Sequence, residues 1–279
     1  MQIIRFFLIL LLFLTSFPTN TGMRKNGTSA PSSFTAFNEI DKTSAPRIQP
    51  RIYGGEEIKN GILGGFAVQV FRKDNLVCTG TLLSPRHFIT AAHCFENSLQ
   101  KDFHAVAGRS DEVISRTLTR KNQLIQVRQH PQFSKKDFIG DIAVAKVQYP
   151  MKSKYIGYAL ICSSQIFPHE FVTVAGWGKN GRPSGATNSL RSIKVPIMAK
   201  KECERRIGRA MPPNIICAGA FKKRTICDGD SGGPLMFRKE VCGVSTWTWE
   251  CGQSKKPDVY MSVRYYADFI KNTMALMGN

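Results

Sequence analysis

The sequence predicts an all-β protein of the sandwich or barrel type with one C-terminal helix, and two patterns carry the prediction. From Ile52 onward the chain is a succession of short apolar or alternating runs rich in Val, Ile and Phe. Each run is bounded by Gly, Pro, Asn, Asp or Ser, the residues that let a chain reverse. The second pattern comes late, where Ala267, Ile270, Met274 and Met277 fall at helical spacing within 265–277.

In chain order the expected strands are 67–71, 79–83, 104–106, 124–127, 142–147, 171–175, 241–245 and 259–263. Their β-branched and aromatic residues suit a pleated, half-buried surface. No internal repeat is visible. The 279 residues, 42% of them apolar, suffice for one large domain or two small ones.

The region before Ile52 reads differently. One positive charge at Arg5 precedes an unbroken apolar run, 6–14, too short to span a bilayer. Small and polar residues follow, so 1–22 reads as a secretory signal peptide, with a buried N-terminal helix as the alternative. Residues 23–51 are rich in Ser, Thr, Pro, Asn and Lys and carry the glycosylation triplet Asn26-Gly27-Thr28, the texture of an exposed propeptide. That leaves 52–279 as the working domain. No later stretch reaches membrane-spanning length, so a soluble, secreted, extracellular product is expected.

Eight cysteines fit an oxidising compartment, and their spacing contains no zinc knuckle. The formal charge of +19 admits nucleic acid, heparin-like glycans, anionic membranes or plain solubility as explanations. The excess is spread over short clusters such as Lys200-Lys201, Arg205-Arg206, Lys222-Lys223-Arg224 and Lys255-Lys256. No basic helix interleaves with aromatics. A solvated surface is the preferred reading, with a polyanion on that surface as the alternative and neither nucleic acid nor membrane as a partner.

Cleaving a peptide bond by acyl transfer needs a nucleophile, a base, a group that orients the base, and donors for the developing oxyanion. Cys227-Asp228-Gly229-Asp230-Ser231-Gly232-Gly233-Pro234 sets a serine in a glycine-dense turn. Thr90-Ala91-Ala92-His93-Cys94 sets a histidine beside a cysteine, and Gly140-Asp141-Ile142-Ala143-Val144 puts an aspartate at the head of an apolar strand. Alone, such a histidine or aspartate is more often structural or surface. The three together, in this order, reverse that.

With Gly176-Trp177-Gly178 in register between them, these motifs resemble the chymotrypsin family of trypsin-like serine proteases over the whole of 52–279. The resemblance implies a chymotrypsin-like fold: two six-stranded antiparallel β-barrels packed together, with a C-terminal α-helix. It implies a secreted serine endopeptidase without a cofactor, in which Ser231 is the nucleophile, His93 the general base and then acid, and Asp141 the group that fixes the imidazole. The N–H groups of Gly229 and Ser231 would form the oxyanion hole. It further implies disulfides Cys78 to Cys94, Cys203 to Cys217 and Cys227 to Cys251. The family's further bridge has no counterpart here, its positions being Val172 and Phe237. Cys162 and Cys242 are then expected to pair with each other, a bond from Cys162 to another protein being the alternative.

The same resemblance makes Arg51-Ile52 the activation junction of a zymogen, cut by an upstream trypsin-like protease, after which the freed Ile52 ammonium would pair with Asp230. Protein substrates are implied, with a serpin or other inhibitor as a further partner. No calcium is expected, because Arg109 and Thr119 stand where carboxylates would be needed and only Asp111 and Glu112 remain nearby.

Several positions depart from the family. The residue six before Ser231 is Thr225, where trypsin-like members have an aspartate at the floor of the specificity (S1) pocket. Asp258 replaces a glycine on the pocket wall, Ile226 is expected to shield the floor, and Thr248 to narrow the mouth. Small to medium aliphatic P1 residues are therefore favoured over Lys or Arg reaching Asp258. Thr246 replaces a serine that supports the buried aspartate, and its hydroxyl is expected to donate to Asp141. Lys222 to Arg224 replace loop glycines. These departures sustain an alternative, a weakly active or silent homologue acting as a basic binding module in a proteolytic cascade.

Overall fold

Short apolar runs extend into strands because each buries one or both faces against a neighbour, and the turn residues between them set where the chain comes back. The computed structural model describes residues 52, 54–110, 121–178, 189–219, 224–249, 251 and 255–278. All belong to one unit, Arg47–Asn279. A two-residue strand β1 (Glu56–Glu57) and a short helix α1 (Asn60–Leu63) lead into β2 (Ala67–Arg72), β3 (Asn75–Leu82), β4 (His87–Thr90), β5 (Phe103–Ala107), β6 (Asn122–Gln129) and β7 (Ala143–Val147). The last six close into a barrel in the order β2-β3-β4-β7-β6-β5, with every neighbouring pair antiparallel. Val68, Val70, Leu82, Phe88, Phe103 and Leu124 fill it, as alternate side chains fill a small barrel.

The second half contributes β8 (Leu160–Ile161), β9 (Phe171–Gly176), β10 (Arg191–Pro196), helix α2 (Lys200–Ile207), β11 (Ile215–Ala218), β12 (Pro234–Phe237), β13 (Glu240–Trp247), β14 (Asp258–Ser262) and helix α3 (Ala267–Met277). Its sheet runs β1-β10-β9-β12-β13-β14-β11, with β8 added in parallel to β13. The bridge Ile197 to Ala218 joins the two sides of the sheet. Met198 N–H donates to the Cys217 carbonyl at 2.8 Å and Gly219 N–H to that of Pro196 at 3.2 Å beside it. The six strands β9 to β14 thus come round on themselves, so the expected second barrel is a curled sheet stitched by one bridge. All eight expected strands overlap observed ones.

The helix α3 docks on the first barrel. Lys146 of β7 donates to the Met277 carbonyl at 2.6 Å, and Gly140 N–H donates to the Tyr266 hydroxyl at 2.8 Å. The four disulfides are Cys78–Cys94, Cys162–Cys242, Cys203–Cys217 and Cys227–Cys251. The Cys162 alternative, a bond to another protein, is not the one this structure adopts.

Candidate active site

Adjacent strand ends bring the histidine and aspartate together. Thr90 at the end of β4 pairs with Ala143 at the start of β7, so the turn after β4 and the residues before β7 leave the barrel side by side. His93 lies in that turn, a 3-10 segment over Ala92–Phe95 tied back to β3 by Cys94. Its Nδ1 is 2.7 Å from Asp141 Oδ2, and its backbone N–H donates to Asp141 Oδ1 at 2.8 Å. Asp141 is fully buried while the imidazole keeps 20% of its surface. An ionised carboxylate only accepts, so Nδ1 carries the proton and Nε2 presents a lone pair.

The serine turn packs on the same barrel. Thr79 N–H donates to the Ser231 carbonyl at 2.8 Å, and the Thr79 hydroxyl donates to that of Gly229 at 3.1 Å. Gly232 has φ +82, and a Cβ there would sit 1.9 Å from Thr90 Oγ1 and 2.3 Å from the Thr79 carbonyl. Only glycine lets the serine turn press this closely against the strand that ends at His93. Among the described residues, Ser231 Oγ makes no hydrogen bond to His93 Nε2, and the N–H groups of Gly229 and Ser231 enter no backbone hydrogen bond.

Asp230 is buried beneath this turn, accepting from Gly178 N–H at 2.7 Å and Cys227 N–H at 2.9 Å. A Cβ on Gly176 or Gly178 would fall 2.1 Å from its Oδ1 or 2.4 Å from its Cγ. The Gly-Trp-Gly motif is therefore the space this carboxyl occupies, a role the sequence did not reveal. Burial pushes Asp230 up to about 7, and the charges of Asp258 and Asp228 push the same way against the two N–H donors. No cation pairs with it among the described residues. Ile52 is buried, its carbonyl accepting from Gly55 N–H at 2.6 Å. Arg51 and Tyr53 lie outside the described residues, as do Asn26, Asp111, Glu112, Thr119, Lys222 and Lys223.

The residues expected to shape the S1 pocket form one hydrogen-bonded cluster. Asp258 Oδ1 accepts from the Thr225 hydroxyl at 2.5 Å and the Thr248 hydroxyl at 2.7 Å, while Oδ2 accepts from Ile226 N–H at 3.1 Å. Asp258 is 1% exposed, and burial raises its carboxyl to about 7 against those three donors.

One expectation is corrected. The Thr246 hydroxyl donates to the Val259 carbonyl at 2.9 Å and not to Asp141. The register between β13 and β14 shifts between Ser245 and Trp247, and this bulge at Thr246 turns its side chain onto the neighbouring strand.

Two groups with metal-ligand chemistry occur among the described residues, His93 with Cys78 and Cys94, and Glu240 with Cys162 and Cys242. In each the two sulfurs are bonded to one another, which leaves a single donor and no site. No described helix is long and apolar enough to cross a membrane.

A closed barrel and a curled sheet with such a junction between them make the chymotrypsin-like fold. The solved structure of neuropsin, a serine protease expressed in the limbic system of mouse brain, superposes with a TM-score of 0.71 at 26% identity, covering 79% of this chain and 98% of that one. Seminase of Drosophila melanogaster is 33% identical over 237 residues, 84% of this chain and 86% of that protein. A trypsin of Saccharopolyspora erythraea is 30% identical over 194 residues, covering 69% and 85%. The trypsin family model matches residues 52–270. The chain belongs to the trypsin family of serine proteases.

Proposed function

We propose that the protein is a secreted serine endopeptidase made as a zymogen, with signal peptide 1–22, propeptide 23–51 and catalytic domain 52–279. The observation that carries the reading is the fully buried Asp141 holding His93 through both of its oxygens, in a turn packed against that of Ser231. In the reaction, Ser231 Oγ attacks the scissile carbonyl as its proton passes to His93 Nε2. The imidazolium is stabilised by Asp141, which stays ionised. The oxyanion takes the N–H groups of Gly229 and Ser231. His93 then returns the proton to the leaving amine, and water repeats the sequence on the acyl-enzyme to release the acid.

Activation by an upstream trypsin-like protease at Arg51-Ile52 would free an ammonium for Asp230. A fully buried carboxyl raised to about 7 without a cation is the partner such a group needs. Small to medium aliphatic P1 residues are the favoured substrates. Supporting this, Asp258 is 1% exposed and already accepts from two threonine hydroxyls and a backbone N–H, so a Lys or Arg would compete with three donors for a buried carboxyl.

The test is cleavage after Arg51, labelling with a fluorophosphonate, and turnover of a peptide series varied only at P1. The cut protein should label and its Ser231→Ala variant should not, with Val and Ala peptides leading. Absence of label would establish the silent homologue. Arg peptides leading Val and Ala peptides by about tenfold or more would refute the aliphatic pocket alone.

A further inference from the structure

Three basic clusters far apart in sequence meet on one face of the fold. Helix α2 opens with Lys200 and Lys201 and ends with Arg205 and Arg206. Arg206 Nη1 donates to the Lys255 carbonyl at 3.2 Å, tying the 255–256 loop to the helix. Just past the helix, Arg209 Nη1 donates to the Lys136 carbonyl at 2.9 Å, which draws in the 135–136 loop.

The carboxylates here are already engaged. Glu202 accepts from Arg205 and Arg206, whose guanidinium groups hold its carboxyl down at about 2. Glu204 accepts Met211 N–H at 3.0 Å, and Lys135 is paired with Glu96. Lys136, Lys200, Lys201 and Lys255 are exposed and have no acidic partner among the described residues. Helix stability explains Arg205 and Arg206 at the carboxyl end of α2. It does not explain Lys200 and Lys201, which sit in the first turn where the helix dipole disfavours cations.

We propose that this face docks a linear sulfated polysaccharide. The groups left over are ammonium ions, point charges that read charge density and not the planar fork geometry of carboxylates. Nucleic acid fits less well. The nearby rings Phe138 and Trp249 carry Arg209 at 4.9 Å and Lys256 at 5.6 Å, and Phe138 also meets Trp247 edge-on, which leaves little ring face for stacking bases. An acidic protein would need an apolar centre to its interface, yet every exposed position of α2 is Lys or Arg. The face adjoins the loop that leads through Phe138 to Asp141.

The test is retention of the full precursor on immobilised heparin, comparing Lys200→Ser/Lys201→Ser/Lys255→Ser with Lys152→Ser/Lys154→Ser/Lys239→Ser, which removes the same charge elsewhere. The first variant should lose about tenfold or more in affinity at near-physiological salt, its log affinity against log salt flattening by roughly one per cation removed. The second should stay within about twofold of the parent, since exposed charges beyond a Debye length are screened. Equal losses in the two would overturn the proposal in favour of diffuse attraction by net charge. Displacement by single-stranded DNA or polyglutamate as readily as by free heparin would overturn the sulfated glycan as occupant. Because the assay needs no turnover, its result is independent of whether the protein is an active protease.

Discussion

Replacing Asp258 by Asn should make the protein's stability less dependent on pH, by an amount the structure sets. The carboxyl is 1% exposed and is held at about 7 in the fold against 3.8 for the free group. Its folded value is raised, so the folded state binds the proton more tightly than the unfolded one. Asp258 therefore costs nothing below the unfolded value and destabilises progressively as pH climbs from about 4 to about 7. The gap of about three pH units, at about 1.4 kcal/mol each, amounts to about 4 kcal/mol at pH 8. Asn keeps an acceptor for Thr225 and Thr248 but turns an amide N–H₂ towards Ile226 N–H, costing about 1 to 2 kcal/mol at every pH. Asp258→Asn should thus be the weaker protein at pH 4 and the stronger by about 2 to 3 kcal/mol at pH 8. Urea denaturation of uncut precursor, both proteins carrying Ser231→Ala to prevent self-digestion, reads the difference; Asp230 titrates in both, and loss of the Asp258 charge that pushes it up adds to the gain at pH 8. A difference that stays flat from pH 4 to pH 8 would refute the reasoning.

Two further substitutions probe the junction. Gly232→Ala should destabilise by about 3 kcal/mol or more and abolish turnover, since its Cβ meets the Thr90 hydroxyl and the Thr79 carbonyl in a left-handed turn; near-parental urea midpoints would contradict the packing. Thr246→Val should cost about 1 kcal/mol of stability and leave kcat within about threefold, because the hydroxyl serves the Val259 carbonyl. A hundredfold loss of kcat would mean that it serves Asp141 after all.

The strands that announced themselves were those with apolar side chains in unbroken or alternating runs, such as 143–147, whose five residues are all buried. Helix α2 stayed silent because only Cys203 of its eight residues is buried, so no apolar stripe marks a period. Short strands such as β11 and β12 hid between turns for want of length. The meeting of His93 with Asp141 was legible from motifs, because each motif fixes residue types at its own positions. What the motifs could not carry was contact across the chain: Gly176 and Gly178 making room for Asp230, two threonines donating to Asp258, a bulge turning Thr246 away. The basic clusters looked dispersed for the same reason, with Lys136 and Arg209 separated by 73 positions in sequence.

The clasp between Gly140 N–H and the Tyr266 hydroxyl spans 126 positions, and Lys146 reaches 131 positions forward to the Met277 carbonyl. Synthesis runs from the N-terminus, so the first barrel, though its strands emerge first, waits for the final helix before Gly140, next to Asp141, gains this clasp. A nascent chain that has released only the first barrel holds neither that anchor nor Ser231. Translation order thus imposes a sequence of its own, in which the Ser231 turn can meet the His93–Asp141 pair only when almost the whole polypeptide is free of the ribosome.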